Sequence, residues 1–284
     1  MRASRNIIGL TLLILSAITF GIWSAVTQAD HRGALAVSFL DVGQGNATFI
    51  EAPSGLQVLI DGGPGASVLR ALSHVMPWWD RSLDVVISTS GDRDDSTGLV
   101  DVLGRFRVAF VMRSSVSGSD VFARALSDAI QEAVANGAHV STAKRGQVID
   151  IGGGAYIEIL SPDRDVSGAD AASGCTVARL IYGATSFMLP CDAPQALENY
   201  LAYLDGTALR SDVLEIGHGG AKTSSSPIFM GYVAPAYAVY SRDCKNAPAE
   251  ETAATLARFN VEAFDTCVNG TVTFTSDGKT VRVR

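Results

Sequence analysis

Residues 34–42, ALAVSFLDV, alternate apolar and polar side chains and so predict a β-strand. Gly43-Gln44-Gly45 predicts a turn and NATFIEA a second strand. Pro53-Ser54-Gly55 marks a hairpin turn, and LQVLIDGG is a third strand that runs into a glycine-rich loop. Val68, Leu69, Leu72 and Val75 share one face at helical spacing, which predicts a helix over 65–78. The next strand, LDVVIST, is continuously apolar, the pattern of a strand covered on both faces. It leads into ISTSGDRDDSTG, where Asp92, Asp94 and Asp95 cluster without a histidine. A helix, the buried strand VAFVMRSS and an amphipathic helix over 119–136 follow.

The second half repeats this order. VIDIGGGAYIEILSP predicts two short strands around three glycines, and DRDVSGADAASG a polar loop. CTVARLIYGATSFMLPCD reads as a hairpin turning at Gly183-Ala184. A helix over 194–204, the buried strand SDVLEIG, a short helix over 224–231 and the strand YAVYS come next. Residues 248–259 predict another helix, with Pro248 in its first turn. The strands VEAF and TVTFTSDGKTVRV close the chain. Strand meanders followed by helices and buried strands, twice over, predict an α/β fold. Two mixed sheets face each other with helices outside, a four-layer αβ/βα sandwich.

The amino terminus changes the picture of where this domain works. Arg2 and Arg5 precede an apolar run from Ile7 to about Val26. Residues 1–30 are therefore expected to be a signal peptide or a single transmembrane anchor, with Val26-Thr27-Gln28-Ala29 as the cleavage site in the first case. Both outcomes export a domain spanning 34–284, which is either anchored to the cytoplasmic membrane or secreted. The net charge of −7 and the lack of a basic run argue against unaided nucleic-acid binding. Cys175, Cys191, Cys244 and Cys267 form no C-x-x-C pair, so a zinc ribbon or thioredoxin-like site is not expected. Four cysteines in an exported chain permit disulfides, and four small buried residues are the alternative.

FLDVGQGNATFIEAPSGLQVLIDGG resembles the opening of the metallo-β-lactamase-like domain of ComEC-type competence proteins, which take up DNA. LPCD at 189–192, DVLEIGHGGAKTSS at 212–225 and DTCVNGTVTFTSDG at 265–278 extend the resemblance in the same order over roughly residues 34–284. It implies the metallo-β-lactamase-like fold. The family joins this domain to a multi-span channel. With one membrane span at most, this chain resembles a stand-alone relative.

The resemblance also implies where a metal centre would stand. The family loop His-x-His-x-Asp-His falls on Ser90, Asp92, Asp94 and Asp95, so only Asp94 keeps its identity. Asp192 matches the bridging aspartate. The family's His-His-Gly-Ser becomes His218-Gly219-Gly220-Ala221, and its Gly-His-Pro becomes Asn246-Ala247-Pro248. Candidate catalytic residues are Asp94, Asp192 and His218. Candidate metal ligands are Asp92, Asp94, Asp95, Asp192 and His218, with Asp61 at the adjacent strand end. Such an oxygen-rich set suits Mg²⁺ or Mn²⁺ better than Zn²⁺. The competing expectation is no cofactor. In it Asp92 and Asp94 cap the helix starting near Ser96, Asp95 is solvated and Asp192 caps the helix near Pro194. Asp61 then holds its own turn and His218 is hydrogen-bonded in a tight loop. Under this fold the hairpin brings Cys175 to Cys191, and Cys244 and Cys267 each follow strands ending at the same rim.

Two functions follow as expectations. One is a non-catalytic or strongly divergent extracytoplasmic domain whose former cleft binds a ligand or an envelope protein, held to the membrane by its amino-terminal segment. The other is a metal-dependent phosphodiesterase or nuclease related to competence DNA uptake, with DNA as its partner. A serine hydrolase at Ser90 and a thiol centre of Cys191 with His218 are disfavoured: Ser90 lacks a Gly-x-Ser-x-Gly elbow and a nameable base.

Overall fold

The computed structural model describes residues 9, 11–21, 23, 33–116, 120–166, 168–245 and 247–284. Residues 11–21 are helical (α1). The expected leader over 1–30 lies largely outside the described residues. Among the described residues no helix is long and apolar enough to cross a membrane.

The opening meander forms as expected: β1 (Leu35–Phe39), β2 (Thr48–Glu51) and β3 (Gln57–Ile60) pair antiparallel in succession. Helix α2 (Ser67–Val75) carries the chain back to β4 (Ser82–Ile87), which lies parallel to β3. Helix α3 (Arg93–Leu103) leads to β5 (Arg107–Arg113), and α4 (Val121–Ala135) leads to β6 (His139–Thr142), again in parallel. Strand β6 was not expected, because HVST carries no apolar pattern. It is an edge strand that only β5 supports, and edges tolerate polar residues. The carboxy-terminal β14 (Val272–Ser276) and β15 (Val281–Val283) return to this sheet, β14 beside β1. The order is β15-β14-β1-β2-β3-β4-β5-β6.

The second sheet comprises β7 (Val148–Gly152), β8 (Ala155–Ile159), β9 (Ala178–Tyr182), β10 (Thr185–Leu189), β11 (Val213–Ile216), β12 (Tyr237–Tyr240) and β13 (Glu262–Asp265). Its order is β13-β12-β11-β10-β9-β8-β7. The β9–β10 hairpin turns at Gly183-Ala184 as predicted. Helices α5 (Gln195–Asp205), α6 (Pro227–Val233) and α7 (Glu250–Arg258) cover its outer face, and α8 (Thr266–Asn269) is a single turn after β13. Pro248 precedes the α7 N-cap Ala249 and so lies just outside the first turn, where its missing N–H costs no helical bond.

Three apolar layers hold the sandwich. Between the sheets, Phe274 takes edge-on contacts from Phe39, Phe187 and Phe264, with ring centroids 5.8–6.4 Å apart. Outside the first sheet, Leu72, Leu99 and Val102 pack on Leu59 and Val86. Outside the second, Leu201, Phe229 and Leu256 belong to one buried cluster with Leu214. Each fully buried side chain of this kind stabilises the fold by about 1.5–3 kcal/mol. This is the four-layer αβ/βα arrangement read from the sequence. It brings the carboxyl ends of β3, β4, β10 and β11 to one rim.

Candidate functional site

The rim is built from four short loops. The loop between β1 and β2 passes under the start of α3 because Gly45 has φ 104°, and a Cβ there would lie 1.9 Å from the Asp94 carbonyl oxygen. The next residue, Asn46, is thereby placed between two loops. Its backbone N–H donates to Asp95 Oδ1 at 2.9 Å and its side-chain Nδ2 to Asp192 Oδ1 at 3.2 Å. Its own buried Oδ1 has no hydrogen-bond partner.

The loop after β4 presents its residues in two directions. Asp92 is exposed and caps α3, accepting from the Asp94 N–H at 3.2 Å. Asp94 is exposed in the first helical turn, and burial of part of its surface, then the charge of Asp92, push its carboxyl upward. Arg93 lies over the Phe122 ring, 3.9 Å from its centroid. Asp95 turns the other way. It is fully buried, not solvated as expected, and takes Asn46 N–H on Oδ1 and the Ser90 hydroxyl on Oδ2 at 3.1 Å. A helix places residues two and three positions past its cap on different faces, and that separates Asp94 from Asp95.

Asp61 and Asp192 are likewise engaged beyond their own turns. Asp61, at φ 58°, accepts from Thr89 N–H at 2.8 Å and from the Thr89 hydroxyl, tying β3 to the loop after β4. Asp192 does not cap α5, whose N-cap Pro194 makes no side-chain bond. It accepts from Asn46 and from the His218 backbone N–H at 2.5 Å. His218 stands at φ 52° in a tight 3-10 turn, Gly217–Gly220. Its Nε2 is 3.7 Å from Asp192 Oδ2, and its Nδ1 is 3.1 Å from the Ser224 hydroxyl.

Glu215 completes this acidic group. It stands on β11 with 3% of its surface exposed and accepts from the Thr48 hydroxyl at 3.2 Å. Neither Asn46 nor Glu215 was among the residues singled out from the sequence. A glutamate inside the apolar strand VLEI was the available signal. Burial, then the charge of Asp61, push the Glu215 carboxyl up to about 8. Burial raises Asp61 to about 7 against the Thr89 hydrogen bonds. Asp95 rises for the same reason, reinforced by the charges of Asp192 and Asp61. Among the described residues no lysine or arginine forms an ion pair with Asp61, Asp95 or Glu215. Burial without a basic partner favours the neutral form of these carboxyls.

The donor set does not fit a dinuclear zinc centre. It offers one imidazole, and N–H or O–H donors already hold both oxygens of Asp61 and Asp95 and one of Asp192. Of the five candidate ligands, Asp95, Asp192 and His218 are linked through Asn46 and Asp192, while Asp92 and Asp94 are exposed at the start of α3, Asp94 near enough to Asp192 for that charge to help raise its carboxyl. Among the described residues no group of three or more His, Cys, Asp or Glu side chains is arranged to hold a metal ion. Beside the loop a cavity of about 550 Å³ opens between α4 and the edge of the first sheet. Ser88, Ser90, Ser96, Arg113, Arg124 and Ile130 are among the residues lining it.

Both expected disulfides are present. Cys175–Cys191 and Cys244–Cys267 have Cα–Cα separations of 6.5 and 5.1 Å. The first fixes the loop that carries Asp192. The second joins the loop after β12 to α8.

No family model matches the chain. It is similar to ComE operon protein 3 of Bacillus subtilis (strain 168), 26% identical over 258 residues, covering 84% of this chain and 32% of that protein. It is similar to competence protein ComA of Neisseria gonorrhoeae, 31% identical over 124 residues, covering 43% of this chain and 18% of that protein. The chain thus spans less than a third of the length of either relative. Among solved structures it is similar to the metallo-β-lactamase fold protein YhfI of Bacillus subtilis, with a TM-score of 0.53 at 10% identity, covering 81% of this chain and 95% of that one. The chain has the metallo-β-lactamase fold, and competence proteins are its distant relatives.

Proposed function

We propose that this is an extracytoplasmic metallo-β-lactamase-fold domain that binds at its former catalytic rim and does not hydrolyse. The observation that carries the reading is Asn46, whose backbone and side chain bridge Asp95 and Asp192, the carboxylates best placed for a metal. The amide between them lets hydrogen bonds hold both carboxylates, beside the raised carboxyls of Asp61 and Glu215, while the Asn46 Oδ1 itself stays without a partner. Two disulfides support an oxidising compartment outside the cytoplasm. The apolar run in residues 1–30 supports export with attachment to the cytoplasmic membrane. The cavity beside the loop, with hydroxyls, two arginines and an apolar floor, is the binding site in this reading, for a small ligand or an extension of an envelope protein.

The test is hydrolysis of single- and double-stranded DNA and of a chromogenic phosphodiester by the full chain, with Zn²⁺, Mn²⁺ or Mg²⁺ supplied. The expected result is no turnover above the protein-free blank. Metal-dependent turnover that disappears in Asp192→Asn would overturn the reading in favour of a phosphodiesterase or nuclease.

A further inference from the structure

Strand direction divides the first sheet into two ends. Strands β1, β3, β4, β5 and β6 all run the same way, and the candidate site lies where β3, β4 and β5 finish. At the opposite end the chain enters β1 from residues 1–32, and the turn before β4 carries Trp78 and Trp79. These indoles are 74% and 61% exposed and pack edge-on, 5.6 Å apart. Burying two such rings would gain several kcal/mol, so water is a poor surrounding for them.

The flanking charges are basic in a chain of net charge −7. Arg81, just before β4, and Arg107, the first residue of β5, are joined by the Arg107 N–H donating to the Arg81 carbonyl at 2.9 Å. Arg105 is exposed two residues before. The Arg81 guanidinium lies 5.7 Å from the Phe106 ring centroid, which keeps it beside the strand start. The local carboxylates are engaged: half-buried Asp80 accepts from Ser82 N–H, the Ser82 hydroxyl and Gln57 Nε2 at 2.8–3.1 Å, and Asp84 accepts from Gln57 N–H at 2.8 Å. Indoles beside arginines match the boundary between acyl chains and phosphate headgroups, where tryptophan settles and anionic lipid attracts each basic side chain.

The amino-terminal segment points the same way. In α1, Leu12, Leu13, Ile14, Leu15, Ile18 and Phe20 are each at least half exposed, and Trp23 is 66% exposed. Apolar side chains exposed along a helix gain by entering a core or lipid. Strand β4 is three strands from β1, so the tryptophan turn sits about 14 Å across from the point where the chain enters the domain.

We propose that the edge formed by Trp78, Trp79, Arg81, Arg105 and Arg107 rests on an anionic lipid surface, with the candidate site facing away from the membrane. The proposal concerns orientation and stands whether or not the rim hydrolyses anything. Its test uses the full chain carrying Trp23→Phe, so that Trp78 and Trp79 supply the tryptophan emission, incorporated into vesicles of phosphatidylcholine with or without phosphatidylglycerol. The expected result is a shift to shorter wavelength and loss of emission to brominated acyl chains in the anionic vesicles. Arg81→Gln, Arg105→Gln and Arg107→Gln combined should restore unquenched, water-like emission, while far-ultraviolet circular dichroism stays unchanged. Emission that stays at the water-exposed wavelength and unquenched in anionic vesicles, or quenching that the triple variant leaves intact, would overturn the proposal. A shift that appears only on adding a soluble protein partner would also overturn it, in favour of a protein interface.

Discussion

Replacing Glu215 with glutamine should make the domain less sensitive to alkali, and the size of the effect follows from where the carboxyl sits. Glu215 is almost fully buried, and its carboxyl is held up to about 8 from an ordinary 4.5. A carboxyl whose folded-state pKa is raised keeps its proton in the native state after the unfolded chain has lost it. Its stabilising contribution is complete below about 4.5 and is lost as pH rises towards about 8. At 1.36 kcal/mol per pH unit, the span corresponds to about 5 kcal/mol for Glu215. Asp61, raised from 3.8 to about 7, gives about 4 kcal/mol by the same arithmetic. The two interact, so these figures do not add. Glutamine keeps the shape and an acceptor for Thr48 but never ionises. Urea unfolding of the disulfide-bonded protein, run from about pH 5 to about pH 8, measures both proteins. The wild type should lose at least ~1.4 kcal/mol per pH unit across much of that window, and Glu215→Gln should gain on it by about 4 kcal/mol from the acid to the alkaline end. A wild-type profile that is flat or rising, or a variant with the same slope, would refute the reasoning.

Other substitutions probe the same rim. Asn46→Asp places another carboxyl against Asp95 and Asp192 and removes a donor, so thermal unfolding without metal should show a loss of about 3–5 kcal/mol near neutrality and a smaller one in acid; equal stability at both would contradict the network. Gly98→Ala brings a Cβ to 2.0 Å from the Gly62 carbonyl oxygen, so α3 must shift at a cost of at least about 1–3 kcal/mol in urea unfolding. Reduction should cost about 3 kcal/mol for each of the two disulfides, given sequence separations of 16 and 23. Thiol titration of the unreduced, denatured chain should find none, and four free thiols would remove that prediction.

Much of the fold was legible because its interior strands are written in strong patterns. LDVVIST and VLEI are buried strands, and Gly183-Ala184 turns the hairpin where expected. Strand β6 was not legible, since an exposed edge strand needs no apolar run. The rim was legible in part. Asp94, Asp95, Asp192 and His218 could be named from position along the chain, but which way each pointed could not. Asp94 and Asp95 are adjacent in sequence, yet one is exposed and the other fully buried. Asn46 escaped notice because its role depends on a close approach of Gly45 to Asp94 that local sequence does not reveal.

The central proposal is that hydrogen bonds hold the carboxylates of this rim without a metal. Calorimetric titration of the full chain with Zn²⁺ and with Mn²⁺, after chelator treatment and at neutral pH, tests it most directly. The account predicts no stoichiometric site, with the same weak heats for wild type and Asp192→Asn. One or two tightly bound ions per chain, abolished by Asp192→Asn, would contradict it.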